Sequence, residues 1–229
     1  MRRPGTAPTL TAVTLITAMA AGLTGCANPE FTYVRHDSGQ TYFKVPAAWR
    51  PVDQQALDRY FERDPESATA QVRKKLVWSV GYDAHAEPSV SHLYGIGTAD
   101  EPFVFVRVIT LMPEQRDMIS LNVMRDAILP VTQASRQQVE QVPGYPLTGF
   151  ELLTDEVFHP GDGVRGVRVR FNYAVEGAGT QTFDLTSYLD ADGERLSMML
   201  IRCSAACYRK RVQEFDTIAQ SLKVKRPIG

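Results

Sequence analysis

Alternating apolar positions predict strands in the carboxyl-terminal third of the chain. In the segment 164–175, Val167 and Val169 alternate with Arg168 and Arg170. A period of two is typical of a strand with one buried and one polar face. Turns rich in glycine and aspartate separate this segment from similar ones on either side. The pattern predicts an antiparallel four-strand meander over residues 150–158, 164–175, 180–189 and 195–202.

The remaining apolar runs predict a hairpin, a buried strand and several helices. The runs 31–36 and 41–45 flank a turn signal, Asp37-Ser38-Gly39, and so predict a hairpin. The run 103–111 is almost continuously apolar, which predicts a central strand covered on both faces. Residues 83–101 are polar, and we expect a long loop there. Other segments predict helices at 54–61, 116–129, 135–141 and 205–222, and strands at 76–82 and at Val224.

These elements together predict an α+β fold in which helices pack on an antiparallel sheet. Hydrophobic residues make up 44% of the 229 residues and charged residues 22%, as in soluble globular proteins. This composition excludes a disordered chain and a multispan membrane protein. The formal net charge of -1 provides no basic field, so we expect no nucleic-acid partner.

The amino terminus has the layout of an export signal. Arg2 and Arg3 are followed by an uncharged apolar run over 10–23 and then by Leu23-Thr24-Gly25-Cys26. These four residues resemble the lipobox of bacterial lipoproteins of the actinobacterial type. Arginine outnumbers lysine by 19 to 6, which indicates a GC-rich bacterial genome. The alternative is an ordinary signal peptide followed by an incidental cysteine.

The lipobox resemblance implies cleavage before Cys26 and a diacylglyceryl group on its sulfur. Two or more acyl chains anchor a protein stably to a bilayer. We therefore expect a signal peptide over 1–25, a lipidated tether over 26–30 and a single domain over 31–229. The mature protein is then expected on the outer face of the cell membrane, held there by its lipid anchor.

With Cys26 lipidated, Cys203 and Cys207 form an even pair. In an oxidising envelope compartment such a pair predicts a disulfide. Ser204 between them is a candidate N-cap for the last helix. A thiol–disulfide exchange site is the alternative, but such sites use C-x-x-C, one residue shorter. A zinc site is a further alternative, although no histidine lies at short spacing.

Two segments near the ends of the mature chain resemble PsbP/LpqN-like proteins. The segment 43–49 (FKVPAAW) is similar to the opening strand of that family with its proline and tryptophan. The segment 215–224 (FDTIAQSLKV) is similar to its closing helix and terminal strand, with Leu222 in place of the usual aromatic residue. The resemblance implies an α/β/α sandwich around an antiparallel sheet. It also implies a non-catalytic binding or assembly module, often a lipoprotein in bacteria.

The sequence contains few candidates for chemistry. It has no G-x-S-x-G elbow, no phosphate-binding P-loop and no dinucleotide fingerprint. A metal site could use His85 and His92 with Asp83 or Glu87, but loop histidines are more often solvated. We expect an exposed His159, no metal, no cofactor and no catalytic residues.

Arg165, Arg168 and Arg170 form a candidate patch for an anionic partner on neighbouring strand positions. Pairing with Asp184 and Glu194 is the alternative. Three functional hypotheses follow. The first is a non-catalytic binding or assembly module with an envelope protein or wall partner. The second is a carrier or chaperone for a lipid-like apolar ligand, and the third is a hydrolase acting on wall or lipid, which needs a serine or aspartate beside His85, His92 or His159.

Overall fold

The computed structural model describes residues 29–36, 41–61, 67–98 and 100–225. Cys26, the expected signal peptide and most of the expected tether lie outside these residues. The strands of the described part are β1 (Phe31–Arg35), β2 (Thr41–Pro46), β3 (Arg50–Pro51), β4 (Val77–Asp83), β5 (Phe103–Thr110), β6 (Leu147–Gly161), β7 (Val164–Val175), β8 (Gly179–Leu189), β9 (Arg195–Ser204) and β10 (Lys223–Val224). The helices are α1 (Gln54–Phe61), α2 (Ala68–Leu76), α3 (Pro113–Arg116), α4 (Leu121–Arg125), α5 (Gln133–Val139), α6 (Ala205–Ser221) and a 3₁₀ helix, Val90–Tyr94.

Seven strands form one large antiparallel sheet in the order β3-β4-β5-β9-β8-β7-β6. The predicted meander is confirmed as β6 to β9, and the predicted central strand is confirmed as β5, between β4 and β9. In this register Val106 lies opposite Val80 on one side and Met199 on the other. The three remaining strands form a small sheet in the order β1-β2-β10, which confirms the predicted hairpin.

The large sheet is covered on both faces. Successive side chains of β5 and β9 point to opposite faces of the sheet, and both sets are apolar. Phe105 and Leu200 belong to one hydrophobic core, beneath α1, α4 and the 3₁₀ helix. Val104 and Ile201 belong to a second core, beneath α6 and the small sheet. Phe215 of α6 is fully buried in that second core. The result is the three-layer α+β architecture that the pattern and the family resemblance predict.

The helical layer over the first core differs from the prediction. The expected continuous helix over 116–129 is wrong, because α3 ends at Arg116 and the short α4 covers only Leu121–Arg125. The Ser120 hydroxyl accepts a hydrogen bond from the Val123 amide, which starts α4 as a separate helix. The Asp126 carboxylate then accepts hydrogen bonds from the amides of Val131 and Thr132, which fixes the turn into α5. Side-chain caps therefore interrupt an otherwise helical pattern.

Two further helices of the described residues were not predicted. Helix α2 exposes most of its residues, so it lacks the apolar period that reveals a packed helix. The expected loop 83–101 contains the 3₁₀ helix, which the Ser89 hydroxyl caps. No helix in the described ranges has both the length and the apolar character needed to cross a membrane.

Candidate functional site

A groove opens between the large sheet and the short helices α3, α4 and α5. Its volume is about 750 Å³, within the roughly 300–1,000 Å³ typical of small-molecule sites. The floor comes from β5 and β9 and the walls come from the helical layer. Apolar residues that line it include Ile109, Leu111, Met118, Ile119, Val123 and Met198. We call this feature the apolar groove.

Large apolar side chains stand exposed at the rim of the apolar groove. Met118 is 63% exposed and Val123 is 40% exposed. Met118 lies in the turn between α3 and α4, which exists because Ser120 begins a new helix. Both residues also line the groove, and a contiguous apolar patch on a protein surface marks a site of interaction. Sequence reasoning missed both residues, because a continuous helix over 116–129 assigns Leu121, Met124 and Ile128 to its buried face.

Hydrogen bonds to the sheet hold the helical wall of the groove in place. The Ser187 hydroxyl donates to the Met124 carbonyl at 3.0 Å, and the Tyr173 hydroxyl donates to the Pro130 carbonyl at 2.5 Å. Burial raises the pKa of Tyr173, so this phenol keeps its proton well above neutral pH. These two hydrogen bonds therefore hold the backbone of the helical wall against the sheet.

The lining of the apolar groove offers little for acid–base chemistry. Its ionisable side chain is Asp126. That carboxylate accepts hydrogen bonds from the Val131 amide, the Thr132 amide and the Thr132 hydroxyl at 2.6–2.8 Å. Its role is to cap the turn into α5. The arrangement suits binding of apolar groups far better than proton transfer.

The loop histidines lie at another place on the sheet. His92 is buried, so the expectation of solvated loop histidines is wrong at this position. Its Nδ1 lies 2.6 Å from the Asp83 carboxylate, which also accepts hydrogen bonds from the amides of His85 and Ser89. Asp83, the last residue of β4, thereby holds the 3₁₀ helix and the segment that precedes it against the end of that strand. The described ranges contain no group of three residues able to hold a metal ion.

Arg202 completes this buried polar cluster. It lies on β9, opposite Phe103, and Asp83 is the partner of Phe103 on the other side. Its guanidinium donates to the carbonyls of His92 and Thr98 and to the Gln181 side chain. Burial lowers the pKa of Arg202 to about 10 against the opposing effect of Asp83. These contacts hold the loop backbone in place. His159 lies elsewhere, on β6, where it is exposed as predicted.

The three arginines predicted as an anionic-partner patch do not share one free surface. Arg165 is exposed. Arg168 is largely buried beneath α6, where it pairs with Asp184 and Asp216. The Arg170 guanidinium donates a hydrogen bond to the Thr154 hydroxyl at 3.0 Å and lies 3.7 Å from the Glu156 carboxylate. The alternative of pairing with Asp184 is confirmed for Arg168. A largely buried cation needs a carboxylate nearby to compensate its lost hydration.

Glu194, the other carboxylate considered as a partner for the patch, pairs instead with Arg116 at 2.9 Å.

Cys203 and Cys207 have Cα atoms 5.8 Å apart, with their sulfur atoms at disulfide-bonding distance. The pair links the end of β9 to the first turn of α6. Ser204 caps that helix, as predicted, by accepting a hydrogen bond from the Cys207 amide.

Comparison with protein-family models and with curated sequences yields no match to this chain. Solved structures do share its architecture. Cyanobacterial PsbP (CyanoP) from Synechocystis sp. PCC 6803 aligns with a TM-score of 0.52 and 13% identity, covering 87% of this chain and 95% of that chain. LpqN of Mycobacterium tuberculosis, involved in cell envelope biogenesis, aligns with a TM-score of 0.44 and 12% identity over 86% and 91% of the two chains.

The Ran-binding protein Mog1p of Saccharomyces cerevisiae aligns with a TM-score of 0.42 and 10% identity, covering 85% of this chain and 95% of that chain. The similarity to CyanoP shows that this chain has a PsbP-like α+β fold, as its sequence predicts. At such identities the similarity concerns the fold. Function has to be argued from the side chains of the site.

Proposed function

We propose that this protein is a membrane-anchored, non-catalytic binding module of the cell envelope, with the apolar groove as its binding surface. The observation that carries the proposal is the groove itself, about 750 Å³ in volume with Met118 and Val123 exposed at its rim. Exposing such side chains to water is unfavourable, and a bound apolar group removes that penalty. The ionisable side chain of the lining, Asp126, is committed to backbone amides.

The lipobox-like sequence at Cys26 supports the envelope location. A lipid anchor on Cys26 followed by a short tether keeps the domain within a few nanometres of the membrane surface. At that position both envelope proteins and lipids are concentrated around the groove. Partners with an apolar side chain or acyl chain to insert are the class that the groove fits.

A second candidate function is that of a carrier for a lipid-like apolar ligand. The groove favours it, because its volume and apolar lining suit an acyl chain and because a carrier needs a cavity. The two functions differ in the occupant of the groove, which is a protein segment in the first case and a lipid in the second. Asp83 does lie beside His92, as a hydrolase would require. A hydrolase is nevertheless disfavoured, because both side chains are buried and Asp83 accepts hydrogen bonds from the loop amides of His85 and Ser89.

Photo-crosslinking in the native host tests both functions in the full chain. A photoreactive amino acid replaces Val123 at the groove rim, and a matched control replaces Val157 on β6, which is 44% exposed. Protein adducts at position 123 that are absent at position 157 support the binding module. Lipid adducts with the same dependence support the carrier. Equal adduct yields at the two positions contradict both.

A further inference from the structure

A cationic pocket of about 380 Å³ lies between α1, α2 and the strands β4 and β5. Three cationic side chains line it, Arg73 and Lys74 of α2 and Arg107 of β5. Asp58 of α1 is the carboxylate of the lining, and it accepts a hydrogen bond from Gln54 at 2.9 Å. Among the described residues of the lining, cations therefore outnumber carboxylates by three to one. The aromatic rings of Phe61 and Trp78 complete the lining.

Arg107 is held in this pocket without a carboxylate partner among the described residues. Its Nε donates to the Ser79 hydroxyl at 3.1 Å, and its guanidinium lies 4.1 Å from the centroid of the Phe61 ring. Burial, with a contribution from the charge of Arg73, lowers the pKa of Arg107 to about 10. A partly buried guanidinium next to a second cation is electrostatically unsatisfied. A bound anion removes this imbalance.

The cationic pocket adjoins the apolar groove. Arg107 in the pocket and Ile109 in the groove are alternate residues of β5, so their side chains lie on the same face of the sheet. Val77, which lines the pocket, is the direct cross-strand partner of Ile109. A ligand of moderate length can therefore reach from the guanidinium of Arg107 into the groove. An anionic end and an apolar end are the chemistry that this juxtaposition fits.

We propose that Arg107, with Arg73 and Lys74, is the head-group site for a phosphate-bearing amphiphile whose apolar part lies in the apolar groove. The inference rests on the proposed function for the groove and adds the chemical class of its ligand. The three cations and one carboxylate among the described lining residues match a phosphate, which carries more negative charge than a carboxylate. The planar guanidinium of Arg107 presents paired donors that suit phosphate oxygens.

The test compares two amphiphiles with the same acyl chain and different heads. The full chain, as processed by its host, is held in octyl glucoside and mixed with octyl phosphate at the same concentration. Bound adducts are counted by native mass spectrometry. We expect at least a tenfold preference for octyl phosphate in the native protein and loss of that preference in Arg107→Gln. The control variant Arg209→Gln removes an exposed arginine on α6, across the sheet, and should behave as the native protein.

The outcomes separate this inference from the function on which it rests. Equal binding of the two amphiphiles overturns the head-group site and leaves the groove intact. Binding of neither amphiphile contradicts the groove as a ligand site. Inorganic phosphate, tested alone, should bind far more weakly than octyl phosphate, and equal affinity overturns the amphiphile in favour of a free phosphate. If Arg107→Gln fails to fold, Arg73→Gln replaces it as the test, because Arg73 is exposed. Arg73→Gln must then reduce the preference for octyl phosphate, and an unchanged preference overturns the site.

Discussion

Replacing Asp184 by alanine tests the buried ion cluster that holds α6 against the large sheet. The Asp184 side chain has no exposed surface, and its partner Arg168 is 11% exposed. The carboxylate accepts hydrogen bonds from the Arg168 Nε at 2.8 Å and from the Tyr208 hydroxyl on α6. After the replacement, the guanidinium keeps a single carboxylate, Asp216, at 2.6 Å.

The expected loss of stability follows from this geometry. Removing one partner of a buried ion pair costs about 3–5 kcal/mol, because the remaining charge stays desolvated without compensation. Since Asp216 still contacts Arg168, we expect the lower end, about 3 kcal/mol. Asp216→Ala is the matched control, because its carboxylate is 35% exposed and contacts the same guanidinium. For that variant we expect about 1 kcal/mol or less.

Urea unfolding followed by circular dichroism measures the free energy of unfolding of each variant. The double variant Arg168→Met, Asp184→Leu removes both charges and should recover most of the stability lost in Asp184→Ala. Equal losses for Asp184→Ala and Asp216→Ala would refute the reasoning, because burial would then not determine the strength of the pair. A double variant no more stable than Asp184→Ala would also contradict it.

Three further predictions follow from other parts of the fold. Replacing Cys203 and Cys207 by serine should lower the free energy of unfolding by about 2 kcal/mol in the oxidised protein, because the closed loop is short, whereas reductant should lower the native protein to the same level. Gly95→Ala should destabilise more than Gly97→Ala in thermal unfolding, since both glycines have positive φ but only a Cβ at Gly95 lies within 3 Å of the Gln181 side chain, at 2.8 Å. The free energy of unfolding should fall as the pH rises beyond about 10, because a raised tyrosine pKa in the folded state lets the unfolded chain release its protons first, and equal stability at pH 8 and 11 would contradict this. Arg107 and Arg202, whose pKa burial lowers to about 10, act in the opposite direction, but the tyrosines outnumber them. Burial raises the pKa of the tyrosines concerned, which are Tyr60, Tyr82, Tyr94, Tyr145, Tyr173, Tyr188 and Tyr208.

The strands could be predicted from the sequence because their signals are local. Alternation in β7 and turn residues at each end of the meander depend on neighbouring residues alone. The continuous apolar run of β5 likewise predicts a strand covered on both faces. The break between α3 and α4 depends instead on hydrogen bonds from Ser120 and Asp126 to specific amides. An apolar period does not reveal such caps when the residues around them remain compatible with a helix.

The candidate sites were harder to predict, because they depend on which elements meet. Arg107 interrupts an apolar run, and the pattern alone assigns it to a buried strand. Its pocket exists only because α2, an element without an apolar period, lies beside β4. Arg168 shows the opposite case. The alternating pattern assigns it to the polar face of its strand, but its guanidinium contacts Asp216, 48 positions away in sequence. Long-range contacts of this kind leave no local signature.

Methionine oxidation in living cells tests the central claim, that the apolar groove is an occupied binding surface, most directly. Met118 lines the groove and is 63% exposed, whereas Met112 lies outside the groove lining and is 46% exposed. Both should oxidise readily in the purified protein, and the buried Met124 should not. We predict that in intact cells Met118 is protected several-fold relative to Met112. Oxidation of Met118 in cells at the same rate, relative to Met112, as in the purified protein would contradict the proposed function.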